Sequence, residues 1–514
     1  MHVAFRCDAS SVIGSGHVVR CLTLAKVLVD RGAKCSFLCR TLPGNMMDQI
    51  ADAGHRVYPL PAPKHPVNSG SADGDYAGWL GVSAEADAVE CRAVFDAILP
   101  DRVVVDHYAL DIKWEEAACR HLPIMVIDDL ANRPHRCDIL LDQNLGHYPK
   151  DYDGLVPQSA VRLIGPANAL LRPEFAAARP SSLERRSTLS APTHALVFMG
   201  GMDRENSTEA ILGILAKEPL PEAFRLSVVM GRTAPHLEAV VARARSMPFP
   251  TEVLVDVRDM ASLLAQADLV IGAAGGSAWE RCCLGIPTIV LTLADNQKSA
   301  ALALQAQGAV FLIGDMRDGR WDKMLVEGLR RLSAPDTLLQ MSKSAAAITD
   351  GNGAQWVASH LFERNLTARK ATQDDARLIW DWRHAGDATI FYRSPYVTPF
   401  EDHLKWLQAA LDSPKHILQM IEKSGDAIGH VRVDRDASSP IEGTVSICIS
   451  PSIRGQNLSR AILERGLREA AACGVSRFLA TVHRHNTASM RLFVGAGFRE
   501  ISTDEKFVHL ALVS

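Results

Sequence analysis

What the chain has little of narrows its class first. Only 6% of its 514 residues are aromatic, and the net charge is −4 at pH 7. No basic field for a nucleic-acid partner is therefore expected. No long apolar run occurs either. The longest, Leu269–Trp279, is closed off by Asp268 and Glu280 and falls short of the roughly 18 residues needed to cross a bilayer, so no membrane partner is expected. The eleven cysteines include no pair at CxxC spacing, and the adjacent Cys282 and Cys283 are badly placed to bridge each other. Reduced thiols in a cytoplasmic protein are expected, with neither a zinc site nor a disulfide framework. The opening Met-His-Val-Ala-Phe-Arg-Cys-Asp reads as a strand and not as a signal peptide. A hydrophobic fraction of 47% beside 22% charged residues excludes a mostly disordered chain, and the length implies roughly three domains.

Up to about residue 145, short β-branched runs alternate with amphipathic stretches. Val3–Cys7, Lys34–Cys39, Arg56–Leu60, Arg102–Asp106 and Ile124–Asp128 read as buried strands of a doubly wound α/β domain. Residues 61–83, rich in Pro, Gly, Ser and Asp, read as a mobile surface loop. The expected division is a first α/β domain over 1–165, a proline-rich connection over 166–192, a second α/β domain over 193–365 and an α+β domain over 366–514. The polar stretch Asn365–Ala371 reads as a linker.

Three constellations carry the chemistry. The first follows the first strand: Asp8, then Gly14-Ser-Gly16-His17-Val-Val-Arg20. Glycine permits a tight strand-to-helix turn, and amides at a helix start hold anions or hydroxyls. A histidine there stands at the carboxyl edge of the sheet, where α/β folds bind ligands, and its imidazole suits a general base near neutral pH. The plain alternative is a glycine turn with a surface histidine. The second is Gly272-Ala-Ala-Gly275-Gly276-Ser277-Ala-Trp-Glu280, followed by Asp295-Asn296-Gln297. Its glycine loop would present amides to a diphosphate, and Glu280 would accept ribose hydroxyls; a helix start with an exposed glutamate is the alternative. Gly200–Asn206 is a further loop after a strand.

These motifs, with Leu141-Asp-Gln-Asn144, resemble the UDP-sugar hydrolases of pseudaminic acid biosynthesis over about residues 1–360. Members of that family release UDP from UDP-2,4-diacetamido-2,4,6-trideoxy-β-L-altropyranose. The resemblance implies a GT-B-like pair of Rossmann-type domains, UDP held mainly by the second, and no metal. It assigns His17 as general base on water. Asp8 is a candidate to orient His17 or a sugar hydroxyl, with a capping or structural role as the alternative. It places Gly14, Gly16, Arg20, Asn144, Gly275, Gly276, Ser277, Glu280, Asn296 and Gln297 around the UDP-sugar. Met202 departs from the family, which more often has serine or threonine there.

The third constellation is Arg454-Gly455-Gln456-Asn457-Leu458-Ser459 after a strand, with His483, His485 and Asn486 further on. A cationic glycine loop before a helix is a pyrophosphate cradle. This region resembles the GNAT superfamily of N-acetyltransferases, which implies acetyl-CoA as co-substrate, met by Arg454, Gly455, Asn457, Ser459 and Asn486. Asn457 stands where the family usually has glycine, and Phe493 where it often has an acidic tyrosine. Glu442, His483 and His485 are the candidates for deprotonating an amine. Together the resemblances imply consecutive steps: N-acetylation of a 4-amino UDP-sugar, then removal of UDP. The competing readings are a GT-B glycosyltransferase with a macromolecular acceptor, and a nucleotide-sugar sensor with an inert acetyltransferase-like domain.

Overall fold

The computed structural model describes residues 1–514 except 64–75, 190, 294–296, 363–365, 387–390, 392–397, 424, 437–438, 440, 457 and 514. Spatial contacts divide the chain into two units, Met1–Val357 and Ala358–Ser514.

The first unit holds two parallel sheets. One comprises β1 (His2–Cys7), β2 (Lys34–Arg40), β3 (Arg56–Leu60), β4 (Arg102–Asp106), β5 (Ile124–Ile127), β6 (Ile139–Asp142) and β7 (Val161–Ile164), in the order β3-β2-β1-β4-β5-β6-β7. The other comprises β8 (His194–Phe198), β9 (Arg225–Met230), β10 (Thr251–Val255), β11 (Leu269–Ala273), β12 (Thr288–Thr292) and β13 (Phe311–Asp315), in the order β10-β9-β8-β11-β12-β13. Their strands are near-continuous apolar runs because helices cover both faces; every residue of β4, Arg-Val-Val-Val-Asp, is buried. The strand order reverses between β1 and β4 and again between β8 and β11. A crevice opens outside the carboxyl ends of strands at such a reversal. The residues that leave these four strands are therefore the ones offered to a ligand: Asp8 onward, Asp106 onward, the Gly200 loop and the Gly275 loop.

The second unit contains one mainly antiparallel sheet: β14 (Leu366–Lys370), β15 (His416–Lys423), β16 (Asp426–Arg435), β17 (Glu442–Ile449), β18 (Arg477–His483), β19 (Arg499–Thr503) and β20 (Phe507–Val513). The order is β14-β15-β16-β17-β18-β20-β19. Burial alternates strictly along β18, the mark of a strand with one face on a core. That core packs Val431, Val433, Phe478 and Ala480 against Ile462 and Leu463 of the helix Ser459–Ala472.

The fold departs from the sequence reading in three places. The 166–192 connection contains a helix, Pro173–Ser187, which has Pro173 at its first turn, where no amide partner is lost, and a second proline, Pro180, in its interior. Arg186 on this helix is buried and donates to the carbonyls of Leu264 and Ala267, which fastens the segment to the second sheet's helices. The stretch read as a linker at 365–371 contains β14, paired antiparallel with β15 from Leu366 to Lys370. An edge strand with charged residues looks like a polar linker in sequence because only one of its sides is paired. Within the loop read over 61–83, residues 64–75 lie outside the described residues, but Ala77–Leu80 form a short 3₁₀ turn with Leu80 buried.

Candidate active sites

The first site starts at Gly14, whose φ of +84° is a conformation that glycine adopts without strain. This turn starts the helix Gly16–Asp30, which buries Val18, Cys21, Leu24, Ala25 and Leu28 against the sheet. His17 therefore lies in the first helical turn, at the reversal between β1 and β4. Its Nδ1 donates to Asp106 Oδ1 at 2.6 Å. Arg20, one turn further on, grips the same carboxylate through Nε and Nη2, both at 2.6 Å, and reaches Asp129 through Nη1. Cys21 Sγ completes the set at 3.5 Å from Asp106 Oδ2. Burial raises the Asp106 carboxyl pKa, but Arg20 and then His17 outweigh it and hold the group well below the usual carboxylate range. With Nδ1 as donor to an ionised carboxylate, the neutral imidazole presents its lone pair at Nε2. Nε2 has no hydrogen-bond partner among the described residues.

Two expectations are corrected here. Asp8 does not orient His17. It is fully buried, bonded to Arg6 (2.7 Å) and to the Arg40 amide (2.7 Å), and faces His107 at 3.4 Å. The orienting carboxylate is Asp106, from a different strand. Arg20 is not free for substrate either, because its guanidinium is spent on Asp106 and Asp129. Asn144 joins the same network: its Nδ2 donates to the Asp129 carbonyl at 3.3 Å, and its amide donates to Asp142 Oδ1.

Sequence reasoning missed the aromatic residues around His17. Tyr108 meets the imidazole edge-on, with centroids 4.7 Å apart, and Trp79 does so at 6.1 Å. Tyr76 packs against Trp79 at 4.8 Å and Tyr108 at 5.0 Å. The available signal was two large aromatic residues, Tyr76 and Trp79, inside a stretch otherwise composed as a loop.

On the second sheet, the loop after β11 brings Gly275, Gly276 and Ser277 to the start of the short helix Ser277–Cys283. A Cβ on Gly275 would stand 3.8 Å from Gln297 Nε2, so the structure brings Gln297 to this loop; its Oε1 accepts the Leu293 amide. Asn296 lies outside the described residues. Glu280 is partly buried, 3.9 Å from Arg172, and burial raises its carboxyl pKa. Arg281 braces the loop from behind, donating to Ser277 Oγ and the Ala273 carbonyl. Gly272 leaves room for it, since a Cβ there would lie 3.0 Å from Arg281 Nη1. The Gly200 loop is arranged differently. Asp203 accepts the amides of Ser207 and Thr208, so an internal carboxylate already caps that helix. The loop after β6 reaches the second lobe, where Gly146 stands against Ala303 and Leu145 packs on the lobe's core.

In the second unit, β17 and β18 pair in parallel only from Glu442–Thr444 to Arg477–Leu479. Beyond that they splay, which leaves Val445–Ile449 without a strand partner on that side among the described residues. Gly455, at φ +81°, turns the chain toward the helix Ser459–Ala472, whose N-cap residue, Leu458, makes no side-chain cap. A helix start behind a glycine turn is a place that suits an anion. An extended amide-bearing chain with a diphosphate fits these two features. Asn457 lies outside the described residues. Arg454 is corrected: its guanidinium donates to the carbonyls of Ala385, Trp382 and Ile449 and ties the loop down. Asn486 caps the helix Thr487–Gly495 through the Ser489 amide. Glu442 sits at the closed end of the splay, paired with Arg477 at 2.9 Å, away from the glycine loop. His483 stands at the open end, where its Nδ1 accepts the His485 amide. Phe493 is core, edge-on to Phe498.

Among the described residues, no cluster of three or more His, Cys, Asp or Glu could hold a metal ion, and no helix is long and apolar enough to cross a membrane.

Comparison with known proteins places both units. Residues 196–356 match the glycosyltransferase family 28 C-terminal domain, and residues 383–498 match the acetyltransferase (GNAT) family. The UDP-2,4-diacetamido-2,4,6-trideoxy-beta-L-altropyranose hydrolase of Campylobacter jejuni is 26% identical over 309 residues, which is 60% of this chain and 97% of that protein. The spore coat polysaccharide biosynthesis protein SpsG of Bacillus subtilis is 30% identical over 190 residues, covering 37% of this chain and 54% of that one. The crystal structure of Acinetobacter baumannii MurG superposes with a TM-score of 0.52 at 18% identity, over 70% of this chain and 98% of that one. The chain therefore joins a GT-B unit of two Rossmann-type domains, similar to a UDP-sugar hydrolase and matching the family 28 C-terminal domain in its second half, to a GNAT-like C-terminal domain.

Proposed function

We propose that the first unit hydrolyses a UDP-sugar, releasing UDP and free sugar without a metal, and that His17 is its general base. The observation that carries this reading is the Asp106–His17 pair, which fixes the imidazole tautomer and leaves Nε2 as acceptor. A water molecule donates its proton to Nε2 as its oxygen bonds to the anomeric carbon. The bond from that carbon to the diphosphate oxygen breaks, and the electron pair leaves with UDP. The proton stays on His17 as an imidazolium beside ionised Asp106. The Gly275–Ser277 amides and Gln297 are proposed to meet the diphosphate, and Glu280 the ribose. The sugar is proposed to be the 2,4-diacetamido-2,4,6-trideoxyaltrose that the Campylobacter jejuni relative's name specifies, which would place the protein in the cytoplasm, in pseudaminic acid biosynthesis.

The second unit is proposed to acetylate the 4-amino precursor of that UDP-sugar. Acetyl-CoA supplies an acetyl group for transfer to an amine. The splayed β17 edge would hold its extended chain, and the Gly455 loop with the first amides of the helix Ser459–Ala472 its pyrophosphate. The test for both is product analysis by mass spectrometry of full-length protein with candidate UDP-diamino sugars. Free sugar plus UDP without any acceptor supports hydrolysis; a requirement for an acceptor would make the first unit a glycosyltransferase.

A further inference from the structure

We propose that Tyr76, Trp79 and Tyr108 form a saccharide subsite beside His17, which takes the apolar, hydroxyl-poor face of the sugar on aromatic rings. The proposal rests on the UDP-sugar reading of the first unit and names the group that selects the sugar.

The three rings make one preassembled surface. Trp79 and Tyr108 lie nearly parallel, 24° apart with centroids at 5.7 Å, and Tyr76 closes against both at steep angles. Tyr108 turns its polar end away, donating its hydroxyl to Asp129 at 2.8 Å, so the part of Tyr108 beside His17 is ring. Trp79 is only partly buried, and its Nε1 has no hydrogen-bond partner among the described residues. The wall thus combines apolar ring surface with a single N–H donor, and that donor suits an amide carbonyl such as that of an acetamido substituent.

Ring faces carry negative charge density and attract C–H groups polarised by neighbouring oxygens, while a hydroxyl pressed against them loses its water without replacement. A pyranose face bearing ring hydrogens and a methyl group gains from such a wall, and one bearing hydroxyls does not. The position also fits. Both Trp79 and Tyr108 touch the imidazole edge-on, so a sugar resting on them has its reacting carbon within reach of the base. A purely structural aromatic cluster would stabilise the fold without distinguishing UDP from UDP-sugar.

The test is calorimetric titration of full-length protein, carried in the His17→Asn background so that binding is read without turnover. The ligands are UDP, UDP-2,4-diacetamido-2,4,6-trideoxyaltrose and UDP-N-acetylglucosamine, which keeps a hydroxyl on C6. Trp79→Ala is expected to weaken the trideoxy ligand about tenfold and UDP less than twofold, with a smaller loss for UDP-N-acetylglucosamine. Trp79→Phe should recover most of the affinity. Equal weakening of UDP and the UDP-sugar, or no change in either, would overturn the subsite. Unchanged UDP binding also reports that the variant is folded. The two readings fail separately: tight, Trp79-dependent binding with no UDP release by the His17 protein would end the hydrolase reading and leave the subsite standing.

Discussion

Asp106 Oδ1 stands 2.6 Å from His17 Nδ1 although 89 residues separate the two. A strand end and a helix start meet there because the strand order reverses between β1 and β4. Replacing His17 by Asn should abolish UDP release and leave UDP affinity nearly unchanged, since the proposed UDP contacts lie on the other sheet. Loss of a general base costs about 10²–10⁴ in rate. Asp106→Asn should lower kcat by a similar order with little change in KM, because an amide can donate to Nδ1 and favour the wrong tautomer. Steady-state kinetics on both variants checks this, and a near-normal kcat for either would remove the dyad from the mechanism.

Glu280→Ala should raise KM for the UDP-sugar more than it lowers kcat. Its carboxylate belongs to the second sheet's edge, on the helix Ser277–Cys283, and a ribose contact is remote from the breaking bond. Such contacts bind ground and transition states alike. A large kcat loss at constant KM would instead make Glu280 a catalytic carboxylate.

The elements that were legible in the sequence are those whose signal is local. The glycine turn before His17 and the loop after β11 are punctuation between an apolar run and a helix, and each lies where it was read. Partnership was less legible. Asp8 is close to His17 in sequence and was given Asp106's role, whereas the fold commits Asp8 to Arg6 and Arg40. Arg20 and Arg454 were read as ligand cations because charge is visible in a sequence and a guanidinium's partners are not. Tyr76 and Trp79 gave no periodic signal because a 3₁₀ turn of four residues has none to give.

Below the first site lies a buried ion cluster that makes stability acid-sensitive. Asp87 accepts from Arg6 and Arg40, and all three side chains are fully buried. Burial raises the Asp87 pKa, but Arg6 and then Arg40 hold it down, at about 2. Asp8 and Asp106 are likewise depressed, burial opposing and Arg6 or Arg20 prevailing. A depressed folded-state pKa contributes stability that is fully present above the unfolded carboxylate range near about 4 and is lost as pH falls through the folded values. The first unit should therefore unfold between about pH 4 and pH 2, followed by circular dichroism. Asp87→Asn should cost up to roughly 3–5 kcal/mol at pH 7, because it leaves buried Arg6 with Asp8 and Arg40 with Glu90 as their remaining carboxylate partners, and it should flatten the acid dependence. An unchanged acid midpoint in Asp87→Asn would refute this account.

UDP release should continue in EDTA. The carboxylates nearest His17 are not open ligands: Asp106 is gripped by Arg20 and His17, and Asp129 by Arg20 and Tyr108. A divalent ion would have to displace a buried guanidinium to bind them. Activity lost to chelation and restored by magnesium would show that the diphosphate is held differently.

The two activities should separate on cutting the chain, and the place of the cut should matter. The helix Gly353–Phe362 spans the division between Val357 and Ala358. In the first unit, Arg31 donates to Gln355 at 2.8 Å. In the second, His360 pairs with Glu464 at 2.8 Å, and Glu464 is held well below its usual range, burial opposing and His360 with Arg460 prevailing. Each unit has its own sheet and apolar core, so each can fold alone. A fragment of residues 1–365 is expected to release UDP from the diacetylated UDP-sugar and to ignore acetyl-CoA. A fragment of residues 358–514 keeps His360 and is expected to release thiol from acetyl-CoA only when the 4-amino UDP-sugar is present. A fragment of residues 366–514 lacks His360, which leaves the buried Glu464 to Arg460 alone; it should melt several degrees lower, since a lost partner in a buried pair is costly. Melting temperature and thiol release measured on the three fragments decide this. Equal melting temperatures for the two C-terminal fragments would exclude His360 from the second unit's stability, and no thiol from either would show that the GNAT domain is not an independent enzyme.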